Sequence, residues 1–186
     1  MVEFNGNVVA AAVRTNEDLE VALKSKSEVI FLLKSDILTL EDKIIMIHKA
    51  KKKICLHVDF MQGIGKDKSG INYIKNLGVD YISSTRTNII KMGKELGIKT
   101  IQRFFIIDSH SVSTAVDATK QSKPDIVEVM PGVVTKKLAE ISSLVDVPVI
   151  VGGLVETKEE VIDAIKAGAI LVSTGNRDLW ALNITK

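Results

Sequence analysis

The chain has 186 residues, one cysteine and a net charge of +2, with 46% hydrophobic but only 4% aromatic residues. The lone Cys55 excludes an internal disulfide and fits a reducing compartment. The small net charge excludes a nucleic-acid binder recognisable from electrostatics alone, and no apolar run reaches the ~18 residues of a membrane span.

The opening stretch MVEFNGNVVAAAV has no basic segment ahead of its apolar run and carries Glu3, so a secretory signal is not expected and the expected location is cytoplasmic. Apolar, β-rich runs then begin near Val8, Val29, Ile54, Tyr81, Thr100, Ile126, Val149 and Ala169. Their spacing of roughly 20 to 27 residues is the length of one compact strand–helix unit.

Helical patterns lie between the runs. Thr15 with Asp18, and Thr39 with Asp42, read as helix starts, and Leu40, Ile44, Ile47 and Lys51 share a face. Gly78 and Gly97 read as helix stops, and Val134, Leu138, Ile141 and Val145 share another face. Pro124 and Pro148 precede strands, where a missing N–H is tolerated. Thr157 and Glu160 form a capping box ahead of Val161, Ala164 and Ile165, with Gly168 as the stop. Eight units predict one (β/α)8 barrel over residues 1–186. The chain is short against the ~250 residues typical of such barrels, so trimmed helices are expected. An open doubly wound sheet is the alternative.

Barrels place their sites at the C-terminal ends of the strands, with phosphate favoured after the seventh and eighth. Here those two ends are Gly152-Gly153 and Ser173-Thr174-Gly175-Asn176-Arg177. Glycines admit close backbone N–H groups, and a following helix adds a positive dipole end. The other ends supply Arg14; Lys34, Ser35 and Asp36; Asp59, with His57 on the same side by alternation; Ser83 to Arg86; Arg103 and Asp108; and Glu128 before Pro131-Gly132. Two arrangements follow. Arg14, Arg86 and Arg103 pair with Asp59, Glu128 and Asp108 in a self-satisfied network. Alternatively a small anionic ligand binds: its phosphate on Gly152, Gly153, Thr174, Gly175, Asn176 and Arg177, its hydroxyls on Asp59 and Glu128, and its charge balanced by the arginines.

Catalytic signals are sparse. GGLVE is not a nucleophile elbow, and His48, His57 and His110 do not have metal spacing. Asp59 with Glu128 is a weak magnesium pair. Lys34 reads as a surface lysine before a Schiff-base one, and Cys55 as a small core residue. No resident cofactor or metal is expected.

Five segments in order carry a resemblance: ISSTR at 82–86, QRFFIID at 102–108, EVMPG at 128–132, GGLVET at 152–157 and GNRDLW at 175–180. Together with HVDFMQGIGKD, and within the longer stretches YISSTRTNIIKMGKELGIKTIQRFFIIDSHS, DIVEVMPG, VIVGGLVETKEEV and STGNRDLW, they resemble the glycerol uptake operon antiterminator family over nearly the whole chain. The resemblance implies a non-enzymatic barrel that responds to glycerol 3-phosphate and acts on the leader mRNA of glycerol-metabolism genes. Two departures stand out. VVAAAVRT lacks the family's proline before the alanine, and Gly175 replaces an expected serine, a lost donor worth about 0.5–1.5 kcal/mol if it bonded the phosphate. A small phosphosugar or phosphotriose enzyme is the alternative, and a barrel that kept the site but not the RNA is a third reading.

An RNA-binding face is the least legible feature. One dense basic run, His48-Lys49-Ala50-Lys51-Lys52-Lys53, falls just before the third strand, at the face opposite the mouth. It also reads as a solubilising helix end. Lys66, Lys68, Lys91 and Lys94, with Arg86, form a second set nearer the mouth. Aromatic platforms for single-stranded RNA are not evident. An oligomer is compatible with the sequence.

Overall fold

The computed structural model describes residues 6–185, so Glu3 and the proposed absence of a leader lie outside the described residues. Eight parallel strands close into a barrel: β1 Val9–Val13, β2 Val29–Leu32, β3 Lys53–His57, β4 Tyr81–Ser84, β5 Lys99–Phe105, β6 Ile126–Met130, β7 Val149–Gly152 and β8 Val172–Thr174. Each pairs with its sequence neighbours, and β1 pairs with β8 through Val9 opposite Val172, so there is no open edge. The open-sheet alternative is therefore excluded. The last strand starts at Val172, three residues beyond the expected Ala169. Ala169 and Leu171 are buried all the same, so the apolar run is real but pairs in regular ladder geometry only at its end.

Eight helices follow the strands: α1 Asn16–Lys24, α2 Leu40–Lys49, α3 Lys68–Asn76, α4 Thr87–Glu95, α5 Ser109–Ser122, α6 Thr135–Leu144, α7 Lys158–Lys166 and α8 Arg177–Trp180. The short chain is accommodated by trimming, since α8 has four residues and most of the others nine or ten. Thr15–Asp18 and Thr157–Glu160 form reciprocal capping boxes. Thr39 does not cap by its side chain; its hydroxyl donates to Asp36 at 2.8 Å instead. Leu40, Ile44 and Ile47 are buried on α2, but Lys51 lies beyond the helix in the left-handed region (φ 58°) and leaves that face. Gly78 and Gly97 take positive φ after α3 and α4, the left-handed stop expected there. Two two-residue strands, Ser35–Asp36 and Met61–Gln62, pair above the mouth between the second and third units.

Alternation divides the side chains of each strand between two cores. Outward residues such as Val9, Ile30, Leu56, Ile82 and Val151 pack under the helices. Inward residues Ala10, Phe31, Cys55, Tyr81, Ile101, Ile126, Ile150 and Leu171 fill the lower barrel. Cys55 is fully buried there, and burial pushes its thiol pKa far up, so it behaves as an apolar residue.

Candidate functional site at the barrel mouth

Continuing up the same inward stripes, the next layer is polar: His57 on β3, Ser83 on β4, Arg103 on β5, Glu128 on β6 and Ser173 on β8, all buried. Register sets their partners. His57 sits opposite Ser83, and Arg103 opposite Glu128. Arg103 Nε donates to Glu128 Oε2 at 2.7 Å, and Ser173 Oγ donates to Glu128 Oε1 at 3.1 Å. Burial would lower the Arg103 pKa, but the adjacent Glu128 charge outweighs it and raises it. Gly152 belongs to this layer because nothing larger fits: a Cβ there would lie 2.4 Å from Ser173 Oγ and 2.9 Å from Glu128 Oε1.

His57 Nδ1 is 3.2 Å from the Ser83 carbonyl oxygen and 3.1 Å from its hydroxyl. A carbonyl only accepts, so Nδ1 carries the proton in that contact. Burial, and then the Arg103 charge, lower the His57 pKa and keep the ring neutral at pH 7. Its 4.0 Å approach to Asp59 is too long for a hydrogen bond.

Above this polar floor opens a cavity of about 850 Å³, within the size range of small-molecule sites. Arg14 and Lys34 line one side, His57, Phe60, Arg103 and Phe105 another, and Met130, Gly153, Leu154 and Thr174 to Asn176 a third. Arg103 gives one N–H to Glu128, and the rest of its guanidinium fork has no partner among the described residues. The Gly153 and Gly175 N–H groups likewise donate to none of the described residues. Thr174 is committed: its hydroxyl donates to the Val155 carbonyl at 2.6 Å and accepts from the Asn176 N–H at 3.0 Å. Asn176 caps α8 through the Asp178 N–H and donates to the Glu156 carbonyl.

Of the expected ligand residues, the structure brings Arg14, Arg103, Gly153, Thr174, Gly175 and Asn176 to the cavity wall and places five others elsewhere. Asp59 leaves because β3 ends at His57 and residues Val58–Phe60 form a 3-10 turn, which breaks the alternation. Its carboxylate accepts from Ser84 Oγ, Thr85 N and Thr85 Oγ1 at 2.6–2.9 Å. Burial acts to raise its pKa, but those hydrogen bonds outweigh it and lower the value. Glu128 and Gly152 lie in the floor beneath the cavity. Arg86 precedes α4 on the rim, exposed and outside the wall. Arg177 turns outward and bonds Asp18, its Nε donating at 2.9 Å.

Of the expected arginine–carboxylate network, one pair forms, Arg103 with Glu128; Asp108 caps α5 instead. The carboxylates of Asp59 and Glu128 are both engaged by donors, and Arg103 lies against Glu128, an arrangement that does not fit a magnesium ion. Among the described residues no cluster of three or more His, Cys, Asp or Glu is arranged to hold a metal. Phe60, Phe105 and Leu154 are wall residues that sequence reasoning missed. Their apolar character reads as core in a strand pattern; Phe60 and Leu154 are exposed by the turns that follow their strands, and Phe105 by ending β5 on the inward stripe of Ile101 and Arg103.

The basic sets also change. Lys52 is buried, its ammonium donating to the Ser25 carbonyl at 2.9 Å and to that of Ser27, so it is not a surface cation. Lys51 and Lys53 remain exposed at the face opposite the mouth. Lys66 folds back onto the Met61 carbonyl at 2.6 Å, and Lys68 reaches Glu95 at 3.5 Å. Lys91 is exposed on α4.

Fold and site together define a compact (β/α)8 barrel with a ligand-sized cavity over a buried, charge-balanced floor. A family model for the glycerol-3-phosphate responsive antiterminator matches residues 9–180. The chain belongs to that family, which is one of regulators rather than enzymes. A solved glycerol uptake operon antiterminator regulatory protein from Listeria monocytogenes is 31% identical, covering 96% of this chain and 98% of that one, with a TM-score of 0.91. A glycerol uptake operon antiterminator-related protein from Thermotoga maritima is 30% identical over 95% of this chain and 99% of its own, with a TM-score of 0.85. An uncharacterized protein of Escherichia coli strain K12, YgcP, is 34% identical over 95% of this chain and 93% of its length. Aldolases and an N-acetylmannosamine-6-phosphate 2-epimerase at 13–16% identity share the barrel alone. Among the described residues no helix is long and apolar enough to cross a membrane.

Proposed function

We propose that the mouth cavity binds glycerol 3-phosphate and that its occupancy controls binding to the leader mRNA of glycerol-metabolism genes, giving antitermination. The observation that carries this reading is Arg103. A guanidinium only 6% exposed, with one N–H anchored on Glu128 and the rest free at the cavity wall, is a preorganised anion receptor. The unpartnered Gly153 and Gly175 N–H groups and the exposed Arg14 and Lys34 add donors and positive charge around the same space. The two hydroxyls of the ligand fall to these polar walls rather than to Asp59 and Glu128, whose oxygens are engaged. Family membership supports the identity of the anion and the regulatory outcome.

Calorimetric titration tests the ligand. Glycerol 3-phosphate gives saturable heat, glycerol at the same concentration gives none, and Arg103→Ala abolishes the signal. Absence of heat and of any thermal shift at millimolar glycerol 3-phosphate would refute the ligand assignment, because a bound ligand raises stability by RT ln(1 + [L]/Kd).

A further inference from the structure

The rim of the cavity has a composition that the ligand alone does not need. Among the described phenylalanines, Phe31 is buried and Phe104 half-buried, whereas Phe60 and Phe105 are 65% and 53% exposed and both line the cavity. Leu154 at 68% exposure stands on the third side. Three cations, Arg14, Lys34 and Arg86, are exposed on the same rim with no ion-pair partner among the described residues. The acids nearby are mostly engaged: Asp18 with Arg177, Asp36 with Thr39, Asp108 with Ser111, and Asp59 with Ser84 and Thr85. Glu156 is the exception in the wall.

From this juxtaposition we infer that the RNA docks over the mouth itself, with unpaired bases stacking on Phe60 and Phe105 and phosphates meeting Arg14, Lys34 and Arg86. The inference rests on the RNA-binding reading above and assigns its face. Exposed aromatic rings interleaved with unpaired cations are the elements of a single-strand platform, because every base offers a π-face and every linkage a charge. Phenylalanine and arginine also occur at protein interfaces, but the cores of those interfaces are depleted in charge overall, whereas three cations without ion-pair partners among the described residues favour a polyanion. The opposite face offers lysines without exposed phenylalanines: Lys51 and Lys53 are exposed but Lys52 is withdrawn. Docking over the mouth also makes the coupling direct. Phe60 packs edge-on against His57 at 5.1 Å between ring centroids, and His57 is floor to the ligand space. Ligand and RNA would thus share a wall, with no relay through the barrel.

The test is fluorescence titration of labelled leader RNA into the protein with saturating glycerol 3-phosphate. Phe60→Ala and Phe105→Ala each weaken binding at least ~5-fold, on the scale of one lost stacking contact. Phe60→Tyr and Phe105→Tyr retain it, and Lys51→Ala with Lys53→Ala has little effect. Melting curves report folding of each variant. Photocrosslinking of 5-bromouridine-substituted leader RNA to the unmodified protein maps to residues 58–62 and 103–107, which keeps the test independent of any variant. Loss of binding in the Lys51/Lys53 variant with crosslinks at that face overturns the mouth assignment while sparing the RNA-binding function. A change of sedimentation coefficient in the phenylalanine variants with RNA affinity intact overturns it in favour of a protein interface. An unmodified protein that binds no leader RNA overturns both readings.

Discussion

At the residue scale, the site depends on one buried ion pair. Removing either partner of Arg103–Glu128 leaves the other charge buried without its counter-ion, a change that costs about 3–5 kcal/mol. Glu128→Gln is therefore expected to lower the melting temperature markedly, since each 1 kcal/mol is worth roughly 2–4 °C in a chain of this size. The double variant Arg103→Met/Glu128→Leu should recover most of that stability, because a packed apolar pair often replaces a buried ion pair without loss. It should still fail to bind glycerol 3-phosphate in calorimetry. Recovery of both stability and binding would show that Arg103 is structural only.

His57 gives a second residue-scale expectation. Its folded pKa lies below the ordinary value of 6.5, so the unfolded chain binds the proton more readily. The stabilisation from the neutral ring is fully present above about pH 6.5 and is lost as pH falls from there through the depressed folded value. Melting temperature against pH should slope downward on acidification in that window, and His57→Gln should flatten the slope. An unchanged slope would assign the pH dependence to other groups.

At the scale of elements, the strand order and the two-core packing were legible in the chain, because a parallel barrel buries both faces of its strands and writes them as short apolar runs at a constant period. Seven of the eight expected starts lie within one residue of the observed ones, and the eighth is displaced where Ala169 and Leu171 are buried, and Ile170 half-buried, ahead of the regular ladder. Strand endings were less legible. Alternation placed Asp59 inward with His57, but the 3-10 turn at Val58–Phe60 exchanged the two positions that follow, turning Asp59 toward Ser84 and Thr85 and bringing Phe60 to the cavity wall. Sequence also cannot show that Lys52 bends back onto two carbonyls. Gly152 was legible as a glycine position but for a different reason: it clears space for Glu128 and Ser173 rather than meeting the ligand. Gly152→Ala should thus destabilise by about 1–3 kcal/mol through overpacking, and by disturbing the floor should weaken glycerol 3-phosphate binding as well. A thermal melt and a calorimetric titration check both parts.

At the scale of the whole molecule, the barrel divides its labour along its axis: an apolar lower core, a charge-balanced floor, and an open mouth where a phosphorylated triol and RNA are proposed to meet. If the two ligands are linked there, each must change the affinity of the other by the same factor. The most direct measurement is therefore the affinity of the purified protein for leader RNA, taken with no glycerol 3-phosphate and again at saturation, at one fixed salt concentration. A coupling of roughly 1–3 kcal/mol predicts a ~5- to 150-fold difference between the two, with Arg103→Ala showing none. The same RNA affinity in both conditions would contradict the account.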